Sequence, residues 1–196
     1  MKTEHADKIK PKKNEYGLIK LNLGCGDKIL NGYINIDVVE NRAGKHPDIL
    51  CDLRDLKIFP DDFADEILSV HVIEHFWKWE VDEILKEWIR VLKPGGKIII
   101  ECPNLIAAAI EFLQNPDMAA LGGSEGQRSM WVFYGDPAWK DPYMIHRWGY
   151  TPNTLAYTLK SVGLVDIRQE PAQFKLREPR DMRITGKKPN NTPSTN

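Results

Sequence analysis

The sequence predicts an α/β fold that is built on a mostly parallel sheet. Residues 18–23 form a short apolar run that stops abruptly at Gly24-Cys25-Gly26, which is typical of a buried strand ending in a tight turn. A second short strand follows at residues 33–38 and carries Asp37 near its end. Strand, glycine turn, strand and carboxylate are the arrangement by which an open α/β sheet holds a nucleoside at the carboxyl ends of its strands.

Length, charge and cysteine content restrict the class of protein. A chain of 196 residues suits one domain and can bury about 70% of its unfolded surface. The net charge of −1 gives no electrostatic attraction for a phosphate backbone, so nucleic acid is disfavoured as a partner. The cysteines lie far apart and form no CxxC pair, which predicts reduced thiols and neither a disulfide framework nor a metal site. No apolar run resembles a signal peptide or a membrane segment, which predicts a cytoplasmic protein.

The first half of the chain predicts four strands joined by short connections. They lie at residues 18–23, 33–38, 49–53 and 67–72. Parallel strands usually need a crossover of about a dozen residues or more, commonly with a helix. Only residues 27–32 separate the glycine turn from the second strand, so this crossover is predicted to hold a single helical turn at most.

The second half of the chain predicts helices between the remaining strands. Apolar residues recur at helical spacing over 80–92, and Lys93-Pro94-Gly95-Gly96 ends that helix because proline cannot continue it. The other predicted elements are a strand at 97–102, helices at 105–113 and from Thr151-Pro152 to 162, and a last strand pair at 164–168 and 181–185. The domain is predicted to span 17–186, between a polar N-terminal arm at 1–16 and a disordered tail at 187–196.

Six segments occur in the order and spacing of one known family. They are LNLGCG, INIDV, CDLRDL, SVHVIEHF, EWIRVLKPGGKIIIECPN and HRWGYTPNTLAYTLKSVGL. Together they resemble the class I S-adenosylmethionine-dependent methyltransferases over about residues 18–185, and the cramped first crossover is similar to that of small bacterial members. The resemblance implies a three-layer Rossmann-like methyltransferase fold, with a mostly parallel seven-stranded sheet and an antiparallel last strand. It also implies S-adenosyl-L-methionine as the cofactor.

The same resemblance assigns residues to the cofactor. LNLGCG is similar to the first motif of the family, INIDV to the strand that ends in a ribose-binding acid, and CDLRDL to the adenine-contacting segment. The expected cofactor contacts are Asn22, Gly24, Cys25, Gly26, Asp37, Val38, Asp52, Leu53 and His71. Two positions depart from the family: Asn22 stands where an acid is common, and Asp27-Lys28 follow Gly26 where a third glycine often occurs.

The acceptor end of the site is predicted from the exit of the fourth strand and from a long irregular segment. His75 leaves that strand near the expected methyl group, and an imidazole with a pKa of about 6.5 can remove a proton from a hydroxyl or an amine. The alternative for His75 is a helix-entry residue that bonds to the backbone. Residues 118–149 are predicted as a lid or substrate insertion, with Trp139 and Tyr143 against the acceptor and His146 as a second candidate base.

These assignments predict an enzyme that transfers a methyl group from S-adenosylmethionine to an oxygen or nitrogen of a small-molecule or glycan-type acceptor. The altered first motif keeps one alternative open, a non-catalytic, methyltransferase-like binding or partner subunit. A nicotinamide dehydrogenase would carry GxGxxG at the start of a full helix, for which residues 27–32 leave no room. A nucleic-acid base methyltransferase would carry an Asn/Asp-Pro-Pro-aromatic motif after the fourth strand, and VIEHF is not one. The sequence leaves the acceptor and the oligomeric state open.

Overall fold

A computed structural model describes residues 14–121, 123–174 and 180–190 of the chain. Its strands are β1 (Lys20–Leu23), β2 (Ile34–Asp37), β3 (Ile49–Leu50), β4 (Ala64–Val70), β5 (Leu92–Pro103), β6 (Val165–Glu170) and β7 (Asp181–Lys187). They form one seven-stranded sheet in the order β3-β2-β1-β4-β5-β7-β6. Neighbouring strands are parallel from β3 to β5, whereas β7 runs antiparallel to both β5 and β6. The predicted α/β fold, with its mostly parallel sheet and antiparallel last strand, is confirmed.

The helices of the described residues all follow β4. They are α1 (Val81–Val91), α2 (Leu105–Gln114), α3 (Pro116–Ala120), α4 (Met130–Tyr134) and α5 (Pro152–Ser161). The connections from β1 to β2, from β2 to β3 and from β3 to β4 contain no helix. The prediction of a minimal first crossover is therefore confirmed, and that crossover must be held by side chains because it has no helix of its own to pack.

The hydrophobic core lies on the face of the sheet that α1 and α5 cover. Successive side chains point to opposite faces of a strand, and Leu21, Ile36 and Ile67 all enter this core. Helix α1 adds five buried residues at helical spacing, Val81, Ile84, Leu85, Trp88 and Val91. The Nε1–H of Trp88 donates to the carbonyl of Leu53 at 2.8 Å, which ties α1 to the segment after β3.

The opposite face of the sheet carries charged side chains in pairs. Glu101 of β5 is fully buried, and its carboxylate lies 2.7 Å from the guanidinium of Arg183 on β7. Lys20 and Glu66 pair across β1 and β4 at 3.2 Å. Such pairing is required because a single buried charge without a partner is strongly destabilising. The carbonyl of Glu101 also accepts from the N–H of His71 at 2.8 Å, so this pair anchors the exit of β4.

The last strand continues past its predicted end. β7 runs to Lys187, and the backbone of Lys188 pairs with Gly95 and Gly96 at 2.9 and 3.0 Å. Lys187 and Lys188, which the sequence analysis assigned to a disordered tail, are therefore ordered against β5. Backbone pairing needs no apolar side chains, so the polar composition of this stretch gave no sign of it.

Two smaller differences concern β3 and the N-terminal arm. β3 is two residues long, shorter than the predicted strand at 49–53. Residues 14–16 of the predicted arm belong to a turn in which Asn14 Oδ1 accepts from the N–H groups of Tyr16 and Leu18. Residues 1–13 of the arm and 191–196 of the tail lie outside the described residues.

Candidate active site

A cavity of about 450 Å³ lies at the carboxyl ends of β1, β2 and β4. Every residue that the sequence assigns to the cofactor lines it, and so do His75, His146, Trp139 and Tyr143. Most of its lining residues fall into two groups along the chain. Residues between 22 and 54 form the predicted cofactor end, and residues 70–76 together with 127–147 form the predicted acceptor end. The individual roles of these residues stay predictions.

The glycine turn closes the cofactor end because its backbone approaches β4 and β2 closely. Gly24 has φ +72°, and a Cβ at this position would lie 2.3 Å from Cγ2 of Val72. Only glycine fits there without displacing Val72. The N–H groups of Gly24 and Cys25 both donate to the carbonyl of Ile36, at 2.8 and 3.0 Å, which fixes the turn against β2.

Asp37 lies at the end of β2 with its carboxylate at the cavity wall. Oδ2 accepts from the N–H of Gly26 at 2.7 Å, and Oδ1 accepts from the N–H of Val39 at 2.9 Å. The residue is only 6% exposed. A carboxylate oxygen has more than one lone pair, so each oxygen retains the capacity to accept a second hydrogen bond. The backbone therefore holds the carboxylate in place while both oxygens can still accept from a ligand, and the predicted cofactor contact of Asp37 stays a prediction.

A buried side-chain network holds the short crossover after the glycine turn. Nδ2 of Asn22 donates to the carbonyl of Lys28 and to Oδ1 of Asn35, both at 2.9 Å. Asn35 Oδ1 also accepts from the N–H of Leu30 at 2.8 Å, and its Nδ2 donates to Asp48 at 2.9 Å. A carboxylate at position 22 could not donate to a carbonyl. The asparagine that departs from the family pattern is therefore suited to this crossover.

Asp52 and Leu53, which are also predicted to contact the cofactor, lie just after β3. Cys25, the predicted cofactor residue between the two glycines of the turn, carries a thiol. Asp52 is half-exposed, and its Oδ1 accepts from the N–H of Arg54 at 2.9 Å, whereas Leu53 is buried beside it. Burial and the nearby charge of Asp37 raise the pKa of Cys25 to about 12. Cys25 therefore lines the cavity as a neutral thiol and not as a nucleophile.

His75 and His146 meet edge to face at the acceptor end, with ring centroids 4.9 Å apart. Nδ1 of His75 lies 3.0 Å from the carbonyl of Ile145, and Nδ1 of His146 lies 2.9 Å from the carbonyl of Val132. A carbonyl only accepts, so Nδ1 must be the donor in both rings. Burial lowers the pKa of His146 and keeps its ring neutral. A neutral ring of this tautomer has its lone pair on Nε2.

Glu74 is a buried carboxylate beside these two rings, and the sequence did not single it out. Its Oε1 lies 3.3 Å from Nδ1 of His71 and 3.9 Å from Nε2 of His146. Burial alone would raise the pKa of Glu74, but the hydrogen bond from His71 holds it below its ordinary value. The only available sequence signal was an acid directly before His75 at a strand exit.

His71 links two buried acids at the floor of the cavity. Its Nδ1 faces Glu74, and its Nε2 lies 3.0 Å from Oδ1 of Asp181. His71 also has φ +55°, an uncommon backbone conformation for a residue other than glycine. The ring nitrogens are thus directed at carboxylates, and the predicted cofactor contact of His71 stays a prediction. Asp181 was not predicted, because it lies 110 residues after His71 in the sequence. Only the pairing of β7 with β5 brings it to the exit of β4.

An extended strip at residues 145–148 brings His146 to the exit of β4. The N–H groups of Arg147 and Trp148 donate to the carbonyl of Glu74, at 2.7 and 3.2 Å. The guanidinium of Arg147 donates to the carbonyl of His75 at 2.5 Å. On its other side, the start of the strip packs against Gly135. A Cβ at this position would lie 2.0 Å from the carbonyl oxygen of Met144, so the packing requires a glycine. These contacts hold His146 beside His75 although the two are far apart in sequence.

Trp139 and Tyr143 lie at the rim of the cavity and are 43% and 50% exposed. The guanidinium carbon of Arg42 lies 5.6 Å from the centroid of the Trp139 ring, and Arg42 pairs with Asp141 at 3.0 Å. Arg42 belongs to the connection between β2 and β3. The insertion therefore contacts the cofactor end through Arg42, a residue that the sequence analysis missed because the contact is tertiary.

Comparison with known proteins agrees with this architecture. Residues 21–100 match a family model described as a methyltransferase domain. No curated protein sequence matches the chain.

Among the described residues, no helix has the length and apolar character needed to cross a membrane.

Several solved structures share the fold. A SAM-dependent methyltransferase from Archaeoglobus fulgidus is 21% identical, with a TM-score of 0.60 over 88% of this chain and 87% of that one. A possible histamine N-methyltransferase from Thermotoga maritima is 16% identical, with a TM-score of 0.57 over 87% and 82%. The 1,6-didemethyltoxoflavin-N1-methyltransferase of Burkholderia thailandensis is 13% identical, with a TM-score of 0.55 over 88% and 72%.

The family match and the fold together confirm the resemblance to the class I S-adenosylmethionine-dependent methyltransferases. The match to the methyltransferase-domain model covers residues 21–100, and the solved structures named above share the fold of the chain. S-adenosylmethionine, the cofactor of the class, is the one that the sequence predicted.

Proposed function

We propose that this protein transfers a methyl group from S-adenosylmethionine to an oxygen or nitrogen of a small-molecule or glycan-type acceptor. The observation that carries the proposal is a single cavity with different chemistry at its two ends. One end presents the Asp37 carboxylate and a glycine turn, and the other presents two imidazoles and a buried acid. A binding subunit without activity would need only the first of these ends.

The cofactor end fits a nucleoside with a charged side group. The cavity volume of about 450 Å³ lies within the range of about 300–1,000 Å³ that is usual for ligand pockets. Asp37 would accept the two ribose hydroxyls, and the turn at Gly24 and Gly26 would allow close backbone contact with the remainder. When bound, the cofactor supplies an electrophilic methyl group. The residues of the chain then have to position the acceptor against it.

The acceptor end supplies positioning and a proton acceptor. Nε2 of His75 and Nε2 of His146 carry lone pairs that could take a proton from a hydroxyl or an amine. Trp139 and Tyr143 at the rim would enclose the acceptor and exclude water. Positioning of two reactants can by itself supply roughly 7–11 kcal/mol of a barrier. A strong base is therefore needed only for a poorly acidic acceptor.

The acceptor class is proposed from charge and from the names of two structural relatives. A net charge of −1 favours no polyanion. The relatives from Thermotoga maritima and Burkholderia thailandensis are named for histamine and for 1,6-didemethyltoxoflavin, both small molecules with nitrogen acceptors. A neutral or modestly charged small molecule is the acceptor that these observations support.

Calorimetric titration with S-adenosylmethionine and with S-adenosylhomocysteine tests the proposal. Wild-type protein should bind both ligands, and Asp37→Ala should bind them about 10- to 100-fold more weakly, because hydrogen bonds to a charged group are worth about 1.5–3 kcal/mol. Asp82→Ala is the control, since Asp82 is an exposed acid on α1. Absence of heat for either ligand at millimolar concentration would contradict the proposal and favour the binding-subunit alternative.

A further inference from the structure

Three metal-ligating groups converge at the acceptor end of the cavity. The nearest ligand atoms of Glu74, His75 and His146 all lie within 4.8 Å of one another. Glu74 is 2% exposed and the two histidines are partly buried. Two residues come from the exit of β4 and the third from the strip at residues 145–148. The cluster is thus assembled by the tertiary fold.

Both histidines make the kind of hydrogen bond that usually orients a metal-binding imidazole. A histidine that binds a metal through one ring nitrogen almost always donates the other N–H to a carboxylate or a backbone carbonyl. Here the carbonyls of Ile145 and Val132 accept from Nδ1 of His75 and His146, at 3.0 and 2.9 Å. Nε2 of each ring therefore carries the lone pair that a metal requires.

The acid of the cluster is oriented in the same way. Glu74 Oε1 lies 3.3 Å from Nδ1 of His71, whose Nε2 in turn faces Asp181 at 3.0 Å. Such outer partners fix the direction of a ligating carboxylate. Without a cation, the Glu74 oxygen and the Nε2 lone pair of His146 face each other at 3.9 Å with no proton between them. A cation would satisfy both groups at once.

The ligand types indicate which cation would bind. Two imidazole nitrogens and one carboxylate oxygen suit zinc and other first-row transition ions, whereas magnesium and calcium prefer oxygen ligands alone. Two ligands of one zinc ion can be at most about 4.4 Å apart, twice the metal–ligand distance of about 2.0–2.2 Å. Binding therefore draws the three groups together by a few tenths of an ångström or more.

We propose that Glu74, His75 and His146 bind one divalent transition-metal ion, with zinc as the reference case. A three-ligand site leaves at least one coordination position open. The open position then takes the oxygen or nitrogen of the acceptor, a step that rests on the proposed function. An ion there supplies an electrophile that holds the acceptor and makes its hydroxyl more acidic. The two histidines then act as ligands and not as free bases, and the proton that the acceptor hydroxyl loses passes to solvent water.

Zinc binding to the full chain tests the site directly. Protein freed of metal by a chelator is titrated with zinc chloride in a calorimeter, and its metal content is measured after dialysis. Wild-type protein should bind one ion per chain. His75→Ala and Glu74→Gln should each weaken binding by at least about tenfold, because each removes or alters a ligand. His46→Ala is the matched control, since His46 is an exposed histidine whose Nδ1 bonds to the backbone carbonyl of Glu40.

The outcomes separate this site from the methyltransferase proposal. S-adenosylmethionine should bind to metal-free protein with an affinity within about threefold of that of the zinc-loaded protein. Zinc binding without S-adenosylmethionine binding would support the metal site and contradict the proposed function. The site is overturned if wild-type protein binds no zinc, or if His75→Ala binds it as tightly as wild type. Circular dichroism of each variant verifies that binding is lost from a folded chain.

Discussion

The two ends of the cavity are built from different kinds of contact. At the cofactor end, Asn22, Asn35 and Asp37 hold the backbone of residues that lie at most a dozen or so positions away. At the acceptor end, the bond between His75 and Ile145 joins residues 70 positions apart in sequence. The hydrogen bonds of the first end therefore join residues that are near in sequence, whereas those of the second end join distant segments.

This difference predicts that the two ends can be damaged separately. A change inside the local network should weaken cofactor binding and leave the histidine cluster intact. A change between the strip at 145–148 and its neighbours should do the reverse. Variants that affect both ends equally would show that the cavity behaves as one unit.

The largest effect is expected for Asn35→Ala. Asn35 is 1% exposed and joins Asn22, Leu30 and Asp48. Its loss removes an acceptor from two buried N–H groups, each of which costs about 1–3 kcal/mol when it is left without a partner. The free energy of unfolding should fall by about 3 kcal/mol in urea denaturation. Affinity for S-adenosylmethionine should fall with it, and zinc binding should not.

Asn153→Ala is the control for that loss, because Asn153 is exposed on α5. It should change the free energy of unfolding by less than about 0.5 kcal/mol. An Asn35→Ala protein as stable as this control would show that the network does not hold the crossover.

Gly135→Ala should act on the acceptor end. The new Cβ would lie 2.0 Å from the carbonyl oxygen of Met144, at a residue with φ +91°. We expect a loss of about 2 kcal/mol in the free energy of unfolding, together with weaker zinc binding, because the strip that carries His146 must move. Cofactor affinity should stay within about threefold.

The matched control for Gly135 is Gly163→Ala. Gly163 has a similar φ of +97°, but a Cβ there meets no atom within 4 Å. It measures the cost of the backbone conformation alone. If Gly163→Ala and Gly135→Ala lose the same stability and the same zinc affinity, the close contact with Met144 is not what holds the strip.

The sequence predicted the two ends of the cavity unequally, because contacts between residues near in sequence leave a pattern and contacts between distant segments do not. The strand pattern and Asp37 were visible because they depend on nearby residues. Asn35 and Asp48 were missed, although an asparagine inside the buried strand INID was a signal that a polar partner was needed. The seven-stranded sheet with its antiparallel last strand came from the family resemblance, and β7 was underestimated because its last residues pair through the backbone.

At the acceptor end, the sequence identified His75 and His146 separately and not as neighbours. No periodicity or spacing in the chain relates residues 73–75 to the strip at 145–148, because only tertiary packing joins them. Glu74 was missed for the same reason. A carboxylate at a strand exit acquires chemical meaning only when the histidines around it are known.

Glu87→Gln is a smaller change at a position that touches neither end. Glu87 on α1 accepts from Arg90 at 2.7 Å and from the N–H of Leu56 at 2.9 Å, and the hydrogen bond to Arg90 lowers its pKa below the ordinary 4.5. A lowered pKa in the folded state stabilises the protein above the unfolded pKa, and this contribution is lost as the pH falls through the folded value. We expect a loss of about 1 kcal/mol at pH 7, measured by urea denaturation.

The loss caused by Glu87→Gln should shrink as the pH is taken well below 4.5, because wild-type Glu87 then also becomes neutral. Glu83→Gln is the control on the same helix, since its pair with Lys86 is exposed. Cofactor and zinc affinities should match wild type in both variants. A pH-independent loss would show that charge is not what Glu87 contributes.

Only a small effect on cofactor affinity is expected for the two aromatic residues at the rim of the acceptor end. Trp139→Ala and Tyr143→Ala should leave S-adenosylmethionine affinity within about threefold, or roughly 0.7 kcal/mol, because both rings are about half exposed. Of the two, Trp139→Ala should have the larger effect, since Trp139 contacts Arg42. Methyl transfer to the acceptor should fall much further in both, because lost positioning acts on the reacting pair. Tyr157→Ala, an exposed tyrosine on α5, is the control. If both rim variants unfold, the aromatic segment is part of the core, and the acceptor must be bound elsewhere.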